Sequence, residues 1–185
     1  PIDYDMACGV HAYLKDKGIN LLLSTSVEGF EPQGSGLRTL LSEERFLDAD
    51  MVILAIGVTP ETQLAKEAGL RLGQRGSIAV NDRMETSVPD IYAVGDAVEV
   101  RHFVTGTETL IPLAGPANKQ GRIAADNICG RQSRYKGSQG SSVLKLFDMT
   151  VAATGINEDA AEKAGIEYDK VITFTASHAT YYPGA

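Results

Sequence analysis

Thr86-Ser87-Val88-Pro89-Asp90-Ile91-Tyr92-Ala93-Val94-Gly95-Asp96 is the stretch whose reading decides the fold. Pro89-Asp90 reads as a turn, and Ile91 to Val94 as a short, apolar, buried strand. The strand ends on a residue without a side chain, followed at once by a carboxylate. In open α/β sheets, ligands bind in the crevice beyond the carboxyl ends of the strands. Gly95 lets such a ligand approach the main chain. Asp96, accepting from two directions, can hold two adjacent hydroxyls. A sugar-like chain meets that demand, whereas Asp96 would repel a phosphate. Taken alone, a carboxylate after a strand serves as readily as a cap or turn residue.

Upstream, Asp3 is placed to cap a helix with the apolar face Met6, Val10 and Leu14, stopped by Gly18. Leu21 to Leu23 and Val27 to Phe30 read as strands, followed by turn material from Glu31 to Gly36. Leu37 to Leu41 and Arg45 to Leu47 suggest a hairpin before a strand from Met51 to Ile56. Gly57-Val58-Thr59-Pro60 breaks that strand. A short helix over 61–68 and a strand over 77–80 follow. Downstream, 98–110 reads as loop or hairpin, and a helix runs from about Pro116 to Cys129. Residues 131–142, rich in Gly, Ser and Gln, suit a linker. Val143 to Phe147 and Thr150 to Thr154 read as paired strands, Asn157 as the cap of a helix to Ala164, and Val171 to Thr175 as a last strand.

The chain has 185 residues and a net charge of −7, and it lacks a basic stripe, so nucleic acid is not expected as a partner. No apolar stretch approaches the roughly 20 residues that span a bilayer, and no signal peptide opens the sequence. A membrane partner is therefore not expected. Cys8 and Cys129 have neither CxxC nor metal-ligand spacing. Both read as small buried hydrophobes on helices, a usage that fits a reducing cytoplasm.

The pattern ending in Ile91-Tyr92-Ala93-Val94-Gly95-Asp96 resembles the second flavin motif of the pyridine-nucleotide-disulfide oxidoreductases. Three further segments resemble the same family, in family order. Asp48 to Pro60 is similar to the return from the NAD(P)H domain into the FAD domain. Ile111-Pro112-Leu113-Ala114-Gly115-Pro116-Ala117-Asn118-Lys119-Gln120-Gly121-Arg122 is similar to the helix after the flavin motif. Ser177 to Ala185 is similar to a dimerisation segment of coenzyme A-disulfide reductases and related NADH oxidases. The resemblance implies an α/β fold: partial, three-layer Rossmann-like domains for FAD and NAD(P)H, then the start of an α+β dimerisation domain. The expected divisions are 1–50 for the NAD(P)H part, 51–135 for the FAD part and 140–185 for the dimerisation part.

The same resemblance implies site residues. Gly95 and Asp96 would contact the ribityl chain of FAD, with Ala114 and Ala117 beside the cofactor on the following helix. Pro116 at the first helical position would preset that helix, whose N-terminus carries about half a positive charge. Placed beneath a flavin, this pole would stabilise the negative charge of the reduced ring. Asn118 falls where coenzyme A-disulfide reductases contact substrate, although an amide there could equally face solvent. Adjacent Tyr181 and Tyr182 point to opposite faces if the segment is extended. The resemblance gives one of them, with Tyr181 preferred, a role in stabilising a substrate thiolate in the partner subunit. Aromatic packing at a dimer surface is the alternative, and His178 reads as a structural or surface histidine rather than a base.

The family uses two G-x-G-x-x-G loops for pyrophosphates, and this sequence contains none after a strand. It also lacks the segment bearing the reactive cysteine. The chain is accordingly expected to be an internal part of a longer homodimeric enzyme, reducing coenzyme A disulfide or a related persulfide with NAD(P)H. An NADH oxidase or peroxidase is the alternative within the family. A non-catalytic oligomerisation module is the alternative outside it. Alone, the chain is expected to bind FAD weakly or not at all and to self-associate through exposed apolar surface.

Overall fold

The computed structural model describes residues 2–176 and Tyr181. A helix α1 (Tyr4–Asp16) leads into an antiparallel meander of β1 (Val27–Gln33), β2 (Gly36–Leu41) and β3 (Arg45–Ala49). The turn from β1 to β2 is tighter than expected. Pairing continues through Gln33↔Gly36, and Gly34 at φ 58° occupies the left-handed region that glycine enters without steric cost. Across β2 and β3, Arg38 opposes Asp48 and binds it through Nε at 2.7 Å and a second nitrogen at 2.9 Å. Its guanidinium also lies 4.0 Å from the Phe46 ring centroid.

A second, mixed sheet positions the site. In it β4 (Ile78–Ala79) pairs in parallel with β5 (Val98–Arg101), which pairs antiparallel with β6 (Glu108–Leu110). In chain order the short helix α2 (Gln63–Glu67) falls between the two sheets. The 15-residue helix α3 (Ala114–Ile128) buries Gln120, Ala124 and Asn127, an i, i+4, i+7 face. The core joins this helix to the mixed sheet: Ala124 packs with Met84, Val98, Val100, Ile111 and Tyr135. An antiparallel hairpin of β7 (Ser142–Leu146) and β8 (Met149–Ala153) follows, then α4 (Glu158–Lys163). As expected, Asn157 caps α4, its Oδ1 accepting from the Ala160 amide at 3.1 Å. None of the helices described is long and apolar enough to cross a membrane.

Several local expectations are corrected. Met51 to Ile56 joins no ladder among the described residues, and most of its side chains are exposed, Ile53 82% and Ile56 90%. Ile91 to Val94 is likewise not a strand and makes one isolated bridge, Glu85↔Tyr92. Both runs have strand-like side chains, but a strand exists only where a neighbour takes its amides and carbonyls. Residues 171–175 fail as a strand for the same reason, and Leu21 to Leu23 lead into a turn where Ser24 has φ 52°.

The apolar face expected for α1 is not buried, and the helix has no fully buried residue. Asp3 does not cap it by its side chain. Its Oδ1 instead accepts from the Glu158 amide at 2.8 Å, so that it caps α4 alongside Asn157. Cys8 and Cys129 are both exposed free thiols rather than buried hydrophobes, because α1 packs too little to cover one and the other lies at the exposed end of α3. The presumed linker is anchored: Tyr135 is buried, and Asn127 bonds the Ser133 backbone in both directions.

Candidate functional site

Asn81 builds the frame. Its Oδ1 accepts from the amides of Arg83 at 2.8 Å and Glu85 at 3.1 Å, curling the chain so that buried Met84 takes φ 67°. The Met84 carbonyl then accepts from Ala93 at 3.1 Å, and the Thr86 amide donates to Ile91 at 2.9 Å. Tyr92 donates its hydroxyl to Glu85 at 3.3 Å. The Asn81 amide, and after it Arg83, holds the Glu85 carboxyl below its ordinary range, while burial raises the Tyr92 phenol. This irregular strap delivers Val94-Gly95 to the foot of β5.

At the foot, Gly95 has φ 92°, with open space where a Cβ would project. Its carbonyl accepts from Val98 at 3.3 Å, closing a turn around Asp96. Asp96 therefore precedes β5 rather than ending the strand expected over 91–94. Its carboxylate is exposed, with no hydrogen-bond partner among the described residues. It lines a cavity of about 480 Å³ with Val58, Thr59, Pro60, Val94, Leu110 and Pro112. The cavity thus unites Asp96 with the segment that breaks the 51–56 run and with the approach to α3.

Helix α3 begins two residues earlier than expected, so Pro116 is its third residue rather than its first. Proline is tolerated there because the first bond of the helix, Ala117 amide to Leu113 carbonyl at 3.2 Å, lies one residue further on. No side chain among the described residues caps the amides of this end and no acid lies in its first turn, leaving its positive pole available to an anionic group. Ala114 is exposed and Ala117 half-buried. Asn118 folds onto its own helix, donating to the Ala114 carbonyl at 2.9 Å. None of these three lines the Asp96 cavity. Tyr181 is exposed and also stands apart from it, and His178 and Tyr182 lie outside the described residues.

One contact escaped the sequence reading. The Gly95 amide donates to Gln120 Oε1 at 2.7 Å, and Gln120 is only 1% exposed. The legible signal was a polar amide at the centre of the buried face of α3, where Ala124 and Asn127 continue the period.

An unpaired carboxylate after an open glycine turn thus lines the cavity, and the uncapped end of α3 follows Pro112 at its edge. The chain belongs to the pyridine nucleotide-disulphide oxidoreductase family, whose model matches residues 1–121. That family uses FAD with NAD(P)H. An NADH oxidase of Methanocaldococcus jannaschii is 38% identical over 183 residues, 99% of this chain and 40% of the relative. An NAD(P)H sulfur oxidoreductase (CoA-dependent) of Pyrococcus abyssi is 40% identical over 136 residues, 74% of this chain and 30% of the relative. The crystal structure of reduced CoADR-RHD from Bacillus anthracis is 51% identical with a TM-score of 0.92, covering all of this chain and 33% of that one. The chain thus spans well under half the length of these relatives.

Proposed function

We propose that this chain supplies the ribityl-binding turn and the helix pole of an FAD site in a longer NAD(P)H-dependent reductase. The observation carrying the reading is the unpaired Asp96 carboxylate at a cavity reached through a glycine turn. When bound, FAD supplies the two-electron relay between NAD(P)H and the acceptor. Asp96 accepts hydrogen bonds from neighbouring hydroxyls, and the side chain missing at Gly95 admits the ligand to the backbone. The uncapped end of α3 would favour negative charge on the bound cofactor, with the small side chains of Ala114 and Ala117 permitting close approach.

Within this reading, residues 1–50 belong to the NAD(P)H part, 51–135 to the FAD part and 140–185 to a dimerisation part of a cytoplasmic homodimer. The acceptor is coenzyme A disulfide or a related persulfide, in keeping with the CoA-dependent relative. Asn118 contacts that substrate, and Tyr181 stabilises its thiolate. Oxygen or peroxide as acceptor is the second reading, favoured by the NADH oxidase matched over nearly the whole chain.

The test is Asp96→Ala in the full-length protein. Asp96 is exposed and bonds no protein group among the described residues, so stability should change by less than about 0.5 kcal/mol. Hydrogen bonds to a charged acceptor are worth about 1.5–3 kcal/mol, so the FAD dissociation constant should rise about 10- to 100-fold. Unchanged flavin affinity would refute the assignment. NAD(P)H consumption with coenzyme A disulfide, compared with oxygen alone, separates the two acceptors.

A further inference from the structure

Helix α3 carries two buried amides that do different work. Asn127 binds backbone remote from the cavity: its Nδ2 donates to the carbonyls of Arg83 at 3.2 Å and Ser133 at 2.9 Å. Gln120, two turns closer to the helix start, accepts from the amide of Gly95, the first residue of the Asp96 turn. That amide belongs to a residue at φ 92°, a conformation with no ladder of its own to hold it. The Gly95 carbonyl is occupied by Val98, so the Gln120 oxygen completes the restraint on both ends of the residue.

We propose that Gln120 is a positioning residue for the cofactor site. Its side-chain oxygen fixes the Gly95-Asp96 turn against α3, and so fixes the distance between the hydroxyl-binding carboxylate and the helix pole. This rests on the FAD reading above. Without the bond, the fold keeps its core, but the carboxylate and the pole no longer hold one ligand in register. Preorganisation of this kind appears as ligand affinity, since a site that must be ordered on binding spends interaction energy on ordering.

The experiment compares Gln120→Leu, Gln120→Glu and Asn127→Leu with wild type in the full-length protein. The readouts are FAD affinity of the stripped enzyme, the flavin's bound visible spectrum and apoprotein melting temperature. Gln120→Leu should weaken FAD about tenfold and alter the bound spectrum. Asn127→Leu should lower the melting temperature at least as much while leaving FAD affinity within about twofold. Gln120→Glu keeps an oxygen in reach of the amide and, at acidic pH where a carboxyl buried here is neutral, should recover part of the affinity.

Wild-type affinity in Gln120→Leu overturns the proposal, as does an equal loss in Asn127→Leu or no recovery in Gln120→Glu at the acidic pH. If Gln120→Leu does not fold, Gln120→Asn, whose amide stops one methylene short, carries the same expectation and the same refutation. A wild-type protein that holds no FAD would instead sink the functional reading itself.

Discussion

Tyr135 enters the core through its ring, packed with Met84, Val98, Val100, Ile111 and Ala124. Its hydroxyl is sealed from solvent with no hydrogen-bond partner among the described residues. Leaving such a group unpaired costs about 1–3 kcal/mol, whereas the ring itself contributes by burial. Tyr135→Phe removes the first and keeps the second, so it should stabilise the protein by roughly 1 kcal/mol. The urea midpoint should rise at unchanged slope; a lower midpoint would mean that the hydroxyl is bonded after all. The same residue shows what single-residue signals hide. A composition rich in Gly, Ser and Gln around it suggested a solvated linker, and one aromatic anchor overrode that composition. Asp96 was legible for the opposite reason: its signal, glycine then carboxylate after an apolar run, is local and chemical.

At the scale of elements, legibility followed the range of the interaction. The β2–β3 and β7–β8 hairpins and the Asn157 cap are written in adjacent residues, and the structure has all three. The runs 51–56 and 91–94 carry equally strong apolar patterns, yet a strand also requires a partner that the run itself does not encode. Contacts between distant elements were not legible at all. Lys170 Nζ contacts Asp5 Oδ2 at 3.1 Å and also Glu158 Oε1, tying the first turn of α1 to the first turn of α4. The hydrogen bond from Lys170 holds the Asp5 carboxyl below its ordinary range, and the two carboxylates, Glu158 first, raise the lysine. A depressed carboxyl contributes stability above its unfolded pKa and loses it as pH falls through the folded value. A raised lysine contributes below its unfolded pKa and loses it only in strong alkali. The tie should therefore hold through neutral pH and loosen below about pH 4, where free carboxylates protonate. The protection of the amides of residues 158–166 against exchange, taken relative to the intrinsic rate at each pH, should fall there in wild type. In Lys170→Met it should already be low at pH 7, with a flatter pH dependence.

For the whole molecule, the decisive feature is the bare run Met51-Val52-Ile53-Leu54-Ala55-Ile56. It carries no charge, and β-branched residues supply half of it. Ile53 and Ile56 are almost wholly exposed, and the backbone lies outside any ladder among the described residues. An unpaired apolar segment of this kind is a template for pairing with another chain. Net charge of −7 opposes association at long range, but screening confines that repulsion to about 10 Å at 0.1 M salt. Apolar contact and strand pairing act inside that distance and should dominate. The 185-residue chain in isolation should therefore form oligomers whose mass grows with concentration in light scattering, more so at higher salt. Placing a lysine at each exposed isoleucine, Ile53→Lys with Ile56→Lys, should return it to monomer. Because neither side chain contributes to the core, the melting temperature should move by no more than a few degrees. An isolated wild-type chain that stays monomeric at high concentration would show that the run finds cover within its own molecule.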